Sequence, residues 1–180
     1  MFILFGPAGS GKSLQGQRLA KKYGWRWLSV GQLLRDQKNP TLDAKMEKGE
    51  LVDDTFVVNM MHDAIKAAEY AEQDAILDGY PRDVWQAEWL VAHGDLAGVK
   101  GAIILNVPKE ELWKRLEARG RVDDEKDAIE KRWGVFEQTI AAMRVILEKE
   151  GLLFKEIDGV GEIEQITERI EAVLKEWGTI

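Results

Sequence analysis

The chain has 180 residues, 32 acidic and 25 basic side chains, a net charge of −7 and no cysteine. One domain of this size can bury a full core. The acidic balance excludes nucleic-acid binding through bulk positive charge, and the lack of thiols excludes disulfides, thiolate zinc sites, iron–sulfur clusters and cysteine nucleophiles. No apolar run approaches the ~20 residues of a membrane span, and the opening run Met1–Phe5 is too short and too uncharged for a signal peptide. A cytoplasmic protein without nucleic-acid or membrane partners is the expectation.

Strand and helix patterns alternate along the chain. Met1–Phe5 is a continuous apolar run, as in a strand buried on both faces. A helix is predicted over Ser13–Tyr23, stopped at Gly24, then a strand over Trp25–Leu28. Gly31–Gln37 and Leu42–Lys48 read as short helices separated by Asn39-Pro40, and Asp53-Asp54 cap a helix to about Ala71. Ala75–Leu77 is a third strand and Val84–Ala92 a helix. Ala102–Val107 is a fourth strand, with Pro108 opening the next helix. Within Asp127–Glu150, Ile129, Trp133, Phe136, Ile140, Met143 and Leu147 recur at steps of four and three, forming one helical face. Leu152–Ile157 and Ile163–Glu176 close the chain as strand and helix. This alternation predicts an α/β fold, a five-stranded parallel sheet between two helical layers. The seven tryptophans read as packing residues rather than base-stacking platforms. His62 and His93 lie on helical stretches away from any motif.

The sharpest motif is Gly6-Pro7-Ala8-Gly9-Ser10-Gly11-Lys12-Ser13, a full G-x-x-x-x-G-K-[ST] between a strand and a helix. Glycines let the backbone wrap a phosphate, and the helix N-terminus favours an anion. Lys12 can reach the outer phosphates, and Ser13 is the residue type that ligates Mg²⁺. Asp78, ending the apolar Ala75-Ile76-Leu77, is the matching metal-side carboxylate. Arg35, Arg82, Arg119, Arg121 and Arg132 fall near strand ends or at the start of the long helix. Two nucleotides brought together carry about six negative charges, and the guanidinium fork suits such phosphates.

These segments resemble the adenylate kinases and wider nucleoside monophosphate kinases. Gly6–Ser13 is similar to their phosphate loop, and Ser29-Val30-Gly31-Gln32-Leu33-Leu34-Arg35 to their S-[TA]-G-[DE]-[LM]-L-R. Gly49-Glu50-Leu51-Val52 resembles G-x-[LI]-V, and Leu77-Asp78-Gly79-Tyr80-Pro81-Arg82 with Gln86 resembles L-D-G-[FY]-P-R-x-x-x-Q. Arg119-Gly120-Arg121-Val122-Asp123-Asp124 with Arg132 resembles their lid arginines, and Ile157-Asp158-Gly159 their late I-D-G.

The resemblance implies a kinase moving the γ-phosphoryl of MgATP to AMP. ATP would be held by Gly9, Ser10, Gly11, Lys12, Ser13, Leu14, Arg119 and Gly161, and the metal by Ser13 and Asp78. The acceptor would meet Val30, Arg35, Glu50, Leu51, Val52, Gly79, Tyr80, Pro81, Arg82 and Gln86. Arg121 and Arg132 would bridge the transferring group, so that Lys12, Arg82, Arg121 and Arg132 form the catalytic set. Gln86 would read the base; glutamine there suits adenine, asparagine the pyrimidines. Tyr80-Pro81 would be cis. The implied layout is a core of 1–28, 72–118 and 125–180, an acceptor-binding insertion of 29–71 and a lid of 119–124.

Three departures stand out. Val30 replaces the family's usual threonine. Lys12-Ser13-Leu14 replaces Lys-Gly-Thr and moves the hydroxyl by one residue. Only Gly120 separates Arg119 from Arg121, a short lid without room for zinc ligands, as in many UMP/CMP kinases. A UMP or CMP kinase, a non-catalytic nucleotide-binding module and a kinase of a non-nucleotide metabolite are the rival readings. The expected protein is a monomer that uses Mg²⁺ and no zinc.

Overall fold

Strand β1 (Phe2–Phe5) runs through the middle of a five-stranded, all-parallel sheet of order β2-β3-β1-β4-β5. This computed structural model describes residues 1–48, 52–120 and 126–180, without the side chains of Glu47 and Arg119. The other strands are β2 (Arg26–Ser29), β3 (Ala75–Asp78), β4 (Gly101–Asn106) and β5 (Leu153–Asp158). The helices are α1 (Lys12–Tyr23), α2 (Val30–Asp36), α3 (Pro40–Glu47), α4 (Asp54–Tyr70), α5 (Val84–Ala92), α6 (Lys109–Arg119), α7 (Lys126–Lys149) and α8 (Ile163–Glu176).

The period of two along a strand sorts β1 between the two helical layers. Phe2 and Leu4 share a core with Leu19 of α1 and Ile166, Ile170 and Leu174 of α8. Ile3 and Phe5 face the other way, toward Val58, Met61 and Ile65 of α4, Leu90 of α5 and Met143 and Leu147 of α7. A third cluster joins Leu112 and Leu116 of α6 to Ile129 and Trp133 of α7, above the strand ends. The predicted apolar face of α7 therefore serves two cores along its length.

Most predicted boundaries hold within two residues. Strand β2 begins at Arg26 rather than Trp25, because the Trp25 amide is used by the Ala20 carbonyl at the end of α1. Helix α3 begins at Pro40, where the missing proline N–H costs nothing. Asn39 caps it by accepting from the Thr41 amide, and Asp53 caps α4 by accepting from Phe56. The Tyr80-Pro81 peptide is cis, as expected.

The connections put the chemistry at one edge. In a parallel sheet the ligand crevice opens beyond the carboxyl ends of the strands, where the strand order reverses. Here that crevice lies beyond the central strand β1, between β3 and β4. Asp78 ends β3 in register with Leu4 of β1 and Ser29 of β2. The Gly6–Ser13 loop leaves β1 at the same level.

Candidate active site

The loop after β1 is held open by what binds its carbonyls. Lys12 Nζ donates to the Pro7 carbonyl at 2.9 Å, Trp133 Nε1 to Ala8 at 2.9 Å, and Arg115 Nη1 to Ser10 at 3.4 Å. With these oxygens turned to side-chain donors, the first amides of α1 head the helix as an anion-binding end. Gly9 sits at φ +87°, and a Cβ there would lie 2.9 Å from Leu116 Cγ and 3.0 Å from the Leu112 carbonyl. The loop thus packs against α6 at a distance only glycine allows. Leu14, 49% exposed, turns away from both cores in the first turn of α1.

Ser13 Oγ donates to Asp78 Oδ2 at 2.7 Å. A hydroxyl that spends its proton on a carboxylate keeps its lone pairs for a cation. The donor set is hard oxygen, as magnesium requires. Among the described residues no group of three or more His, Cys, Asp or Glu could hold a metal ion. The pair therefore fits an ion bound mainly through phosphates and water, the usual habit of magnesium.

Three predicted arginines group together, and one of them, Arg82, lies near Asp78. Burial lowers the Arg82 pKa from its ordinary value; Asp78 opposes that shift, and the cations of Arg132 and Arg35 reinforce it. Each neighbour is close enough for its charge to be felt, and all three guanidiniums come from different elements. Arg82 Nε donates to the Gly79 carbonyl at 2.9 Å, and Arg132 Nη2 to the Met46 carbonyl at 2.6 Å, across to the last turn of α3. Arg35 Nη2 donates to Gln32 Oε1 at 3.3 Å within α2.

The base-reading candidate, Gln86, is only 1% exposed. Its Oε1 accepts from the Arg82 amide at 2.9 Å, and its Nε2 donates to Asp54 Oδ1 at 2.7 Å. Asp83 caps α5 through the Gln86 amide at 2.8 Å. Burial raises the Asp83 pKa, as does the neighbouring Asp54, against the lowering effect of that cap. Val30, Val52, Tyr80 and Pro81 are buried, the first three in the core shared with Ala87 and Leu90 of α5, and Gly79 takes φ +71° beneath Arg82. Gly161 lies exposed in the β5–α8 turn. Glu50, Leu51 and Arg121, and the side chain of Arg119, lie outside the described residues.

Sequence reasoning missed four residues. Arg115 and Trp133 reach the loop from 105 and 125 residues away, and Trp27 Nε1 donates to Asp78 Oδ2 at 3.1 Å. Gln15, fully buried, donates to the Ile163 carbonyl at 2.9 Å and accepts from Thr167 at 2.8 Å, tying α1 to the start of α8. The reading of tryptophan as packing holds for Trp133, buried in the α6–α7 core. What the pattern could not show is that two indole N–H groups aim at the site. His62 lies elsewhere, its Nδ1 2.9 Å from the fully buried Asp95 carboxylate.

A parallel α/β sheet with this loop, this Ser–Asp pair and clustered arginines defines a P-loop phosphotransferase. The adenylate kinase family profile matches residues 4–151. The chain is 37% identical to an adenylate kinase of Synechococcus sp. (strain WH7803), with 96% of this chain and 97% of that protein covered. It is 34% identical to an adenylate kinase of Thermus thermophilus, with 96% and 95% covered. With an adenylate kinase of Thermobifida fusca (strain YX) the identity is 36%, with 96% and 97% covered. The chain belongs to the adenylate kinase family.

Proposed function

We propose that this chain transfers the γ-phosphoryl of MgATP to AMP, giving two ADP. The observation that supports this most is the grouping of Arg35 and Arg132 around Arg82, which itself lies near Asp78 of the Ser13–Asp78 pair. A protein that only bound ATP would have no use for three further cations at that place. A site bringing two nucleotides together must offset their combined charge.

In this reading Lys12, the loop amides and Arg119 hold the ATP phosphates, and Leu14 and Gly161 border the rest of ATP. Arg35 and Arg82 hold the acceptor phosphate, and Arg121 and Arg132 span the group in flight. Glu50, Leu51 and Val52 border the acceptor. The assignments of Arg119, Arg121, Glu50 and Leu51 rest on the sequence resemblance alone. Magnesium, held through Ser13 and Asp78, supplies charge neutralisation on the phosphate oxygens when bound. No side chain acts as nucleophile. Catalysis is alignment of two phosphates with water excluded. Closure of 29–71 over the acceptor and of the 119–124 lid over ATP provides that exclusion.

Gln86 reads adenine with its second amide hydrogen and its second oxygen lone pair, since Asp54 and the Arg82 amide use one of each. Its burial means that the base reaches it only when 29–71 shifts. The enzyme is proposed to work as a cytoplasmic monomer. Without cysteine, and with only Gly120 between Arg119 and Arg121, zinc is not part of the proposal.

A coupled assay with ATP against AMP, CMP, UMP and GMP tests the reading. AMP is expected to give the highest kcat/KM. Equal or better values with CMP or UMP would overturn the acceptor, and no transfer to any of the four would overturn the reaction.

A further inference from the structure

One oxygen of Asp78 carries two donors. Ser13 Oγ lies 2.7 Å and Trp27 Nε1 3.1 Å from Oδ2, and neither bond uses Oδ1. The second donor comes from β2, the edge strand. Its ring lies on the same face of the sheet as Ile76, which pairs with Trp27 in the strand register and precedes Asp78 by two residues. The third partner is a missing side chain. A Cβ on Gly16 of α1 would stand 2.7 Å from Trp27 Cδ1 and 2.8 Å from Nε1. Such distances are below any real contact, so the indole occupies the space that the glycine leaves. Gly16 has an ordinary helical backbone, and glycine in mid-helix costs about 0.5–1 kcal/mol relative to alanine. The helix carries that cost at the one place where the ring would otherwise be pushed off the carboxylate.

We propose that Trp27, seated by Gly16, is a positioning residue for Asp78: its indole N–H fixes the carboxylate rotamer so that Asp78 and Ser13 present a preformed oxygen pair to metal-bound ATP. This rests on the phosphotransfer reading for its biological meaning, but not for its test. Asp78 is 3% exposed. A carboxylate this deep needs donors to stay charged and oriented. Two donors on one oxygen, one from α1 and one from β2, remove the rotation that one alone would permit. Trp27 touches no nucleotide atom in this scheme and acts only through Asp78.

The test is a manganese titration of the full chain with ATP, following free Mn²⁺ by its electron spin resonance signal. Trp27→Phe keeps an aromatic ring and removes the N–H. It should weaken Mn²⁺ binding in the presence of ATP about tenfold, the worth of one hydrogen bond to a charged group. ATP binding in excess EDTA should stay within about twofold. Trp27→Gln, which returns a donor without the ring, should recover most of the loss. Gly16→Ala attacks the same contact with Trp27 unchanged and should repeat the Trp27→Phe defect; it also serves if the tryptophan variants do not fold. Unchanged Mn²⁺ affinity in Trp27→Phe, or an equal loss of ATP binding with and without metal, would overturn the proposal; the second result would make Trp27 a packing residue only. The titration needs no phosphoryl transfer, so a protein that binds manganese with ATP but phosphorylates no nucleoside monophosphate overturns the parent reading alone.

Discussion

The proposed donor and acceptor halves of the site are built differently. On the donor side two other helices hold the phosphate loop: Trp133 of α7 and Arg115 of α6 each bind one of its carbonyls, while Lys12, within the loop, binds the Pro7 carbonyl. On the acceptor side the recognition groups are bound to one another. Gln86 is paired with Asp54 and the Arg82 amide, and Arg35 with Gln32. A loop backbone braced by other elements can receive a phosphate with little rearrangement beyond the release of Lys12 from Pro7. Residues that satisfy each other must exchange partners when a ligand enters. The proposed donor side is therefore preorganised in its backbone, and the proposed acceptor side is adaptable.

The largest break should come from Lys12→Ala. It removes a cation from the transferring phosphates, and kcat should fall by about 10²-fold or more while the melting temperature barely moves. A near wild-type kcat would remove the loop from the chemistry. Arg82→Ala should act on the other half. KM for AMP should rise about tenfold or more, the scale of one charge-assisted bond, with KM for ATP little changed. A rise confined to ATP would assign Arg82 to the wrong phosphate.

Gln86→Ala sharpens the contrast, because it disturbs recognition and packing together. The preference for AMP over CMP and UMP should narrow. Stability should fall by about 1–3 kcal/mol, since Asp54 and the Arg82 amide lose a buried partner. Denaturant titration and the four-acceptor assay read the two effects separately. Trp133→Phe is the donor-side counterpart: it removes the bond to Ala8 and trims a ring buried in the α6–α7 core. It should cost about 1–3 kcal/mol and raise KM for ATP, not for AMP; the opposite pattern would refute the bracing role.

The smallest effect concerns pH. Burial and Asp54 raise the Asp83 pKa in the folded chain. The native state then holds this proton more tightly than the unfolded state. Its contribution to stability is greatest below the ordinary carboxylate pKa and falls as pH rises through that value toward the raised one. Asp83→Asn cannot titrate and should flatten this part of the stability–pH curve. An unchanged slope would mean that Asp83 is not the group responsible.

The chain order of strands and helices, the phosphate loop and the aspartate that ends β3 were legible because each depends on neighbours close in sequence. Apolar runs of four or five residues mark strands that are buried on both faces, as in Met1–Phe5. The spacing of glycines, lysine and serine defines a loop whose geometry is local. The α7 face from Ile129 to Leu147 was equally readable, since helical periodicity needs no partner. Capping by Asp53 followed from the same local logic.

Contacts between distant segments had no such signal. Trp27 looked like any strand aromatic, and Trp133 like any core residue on a helix; only the sheet register and the crossing of α7 over the loop aim their N–H groups at Asp78 and Ala8. Gln86 stood out through the resemblance of its segment to the family motif, but not its burial against Asp54, 32 residues earlier on another helix. Which residues can carry charge, bend tightly or bury a face follows from side-chain chemistry and short spans of chain. Which of them meet does not, because a hydrogen bond needs two groups within about 3 Å, and only the packing of α1, α5, α6 and α7 around the sheet supplies that distance.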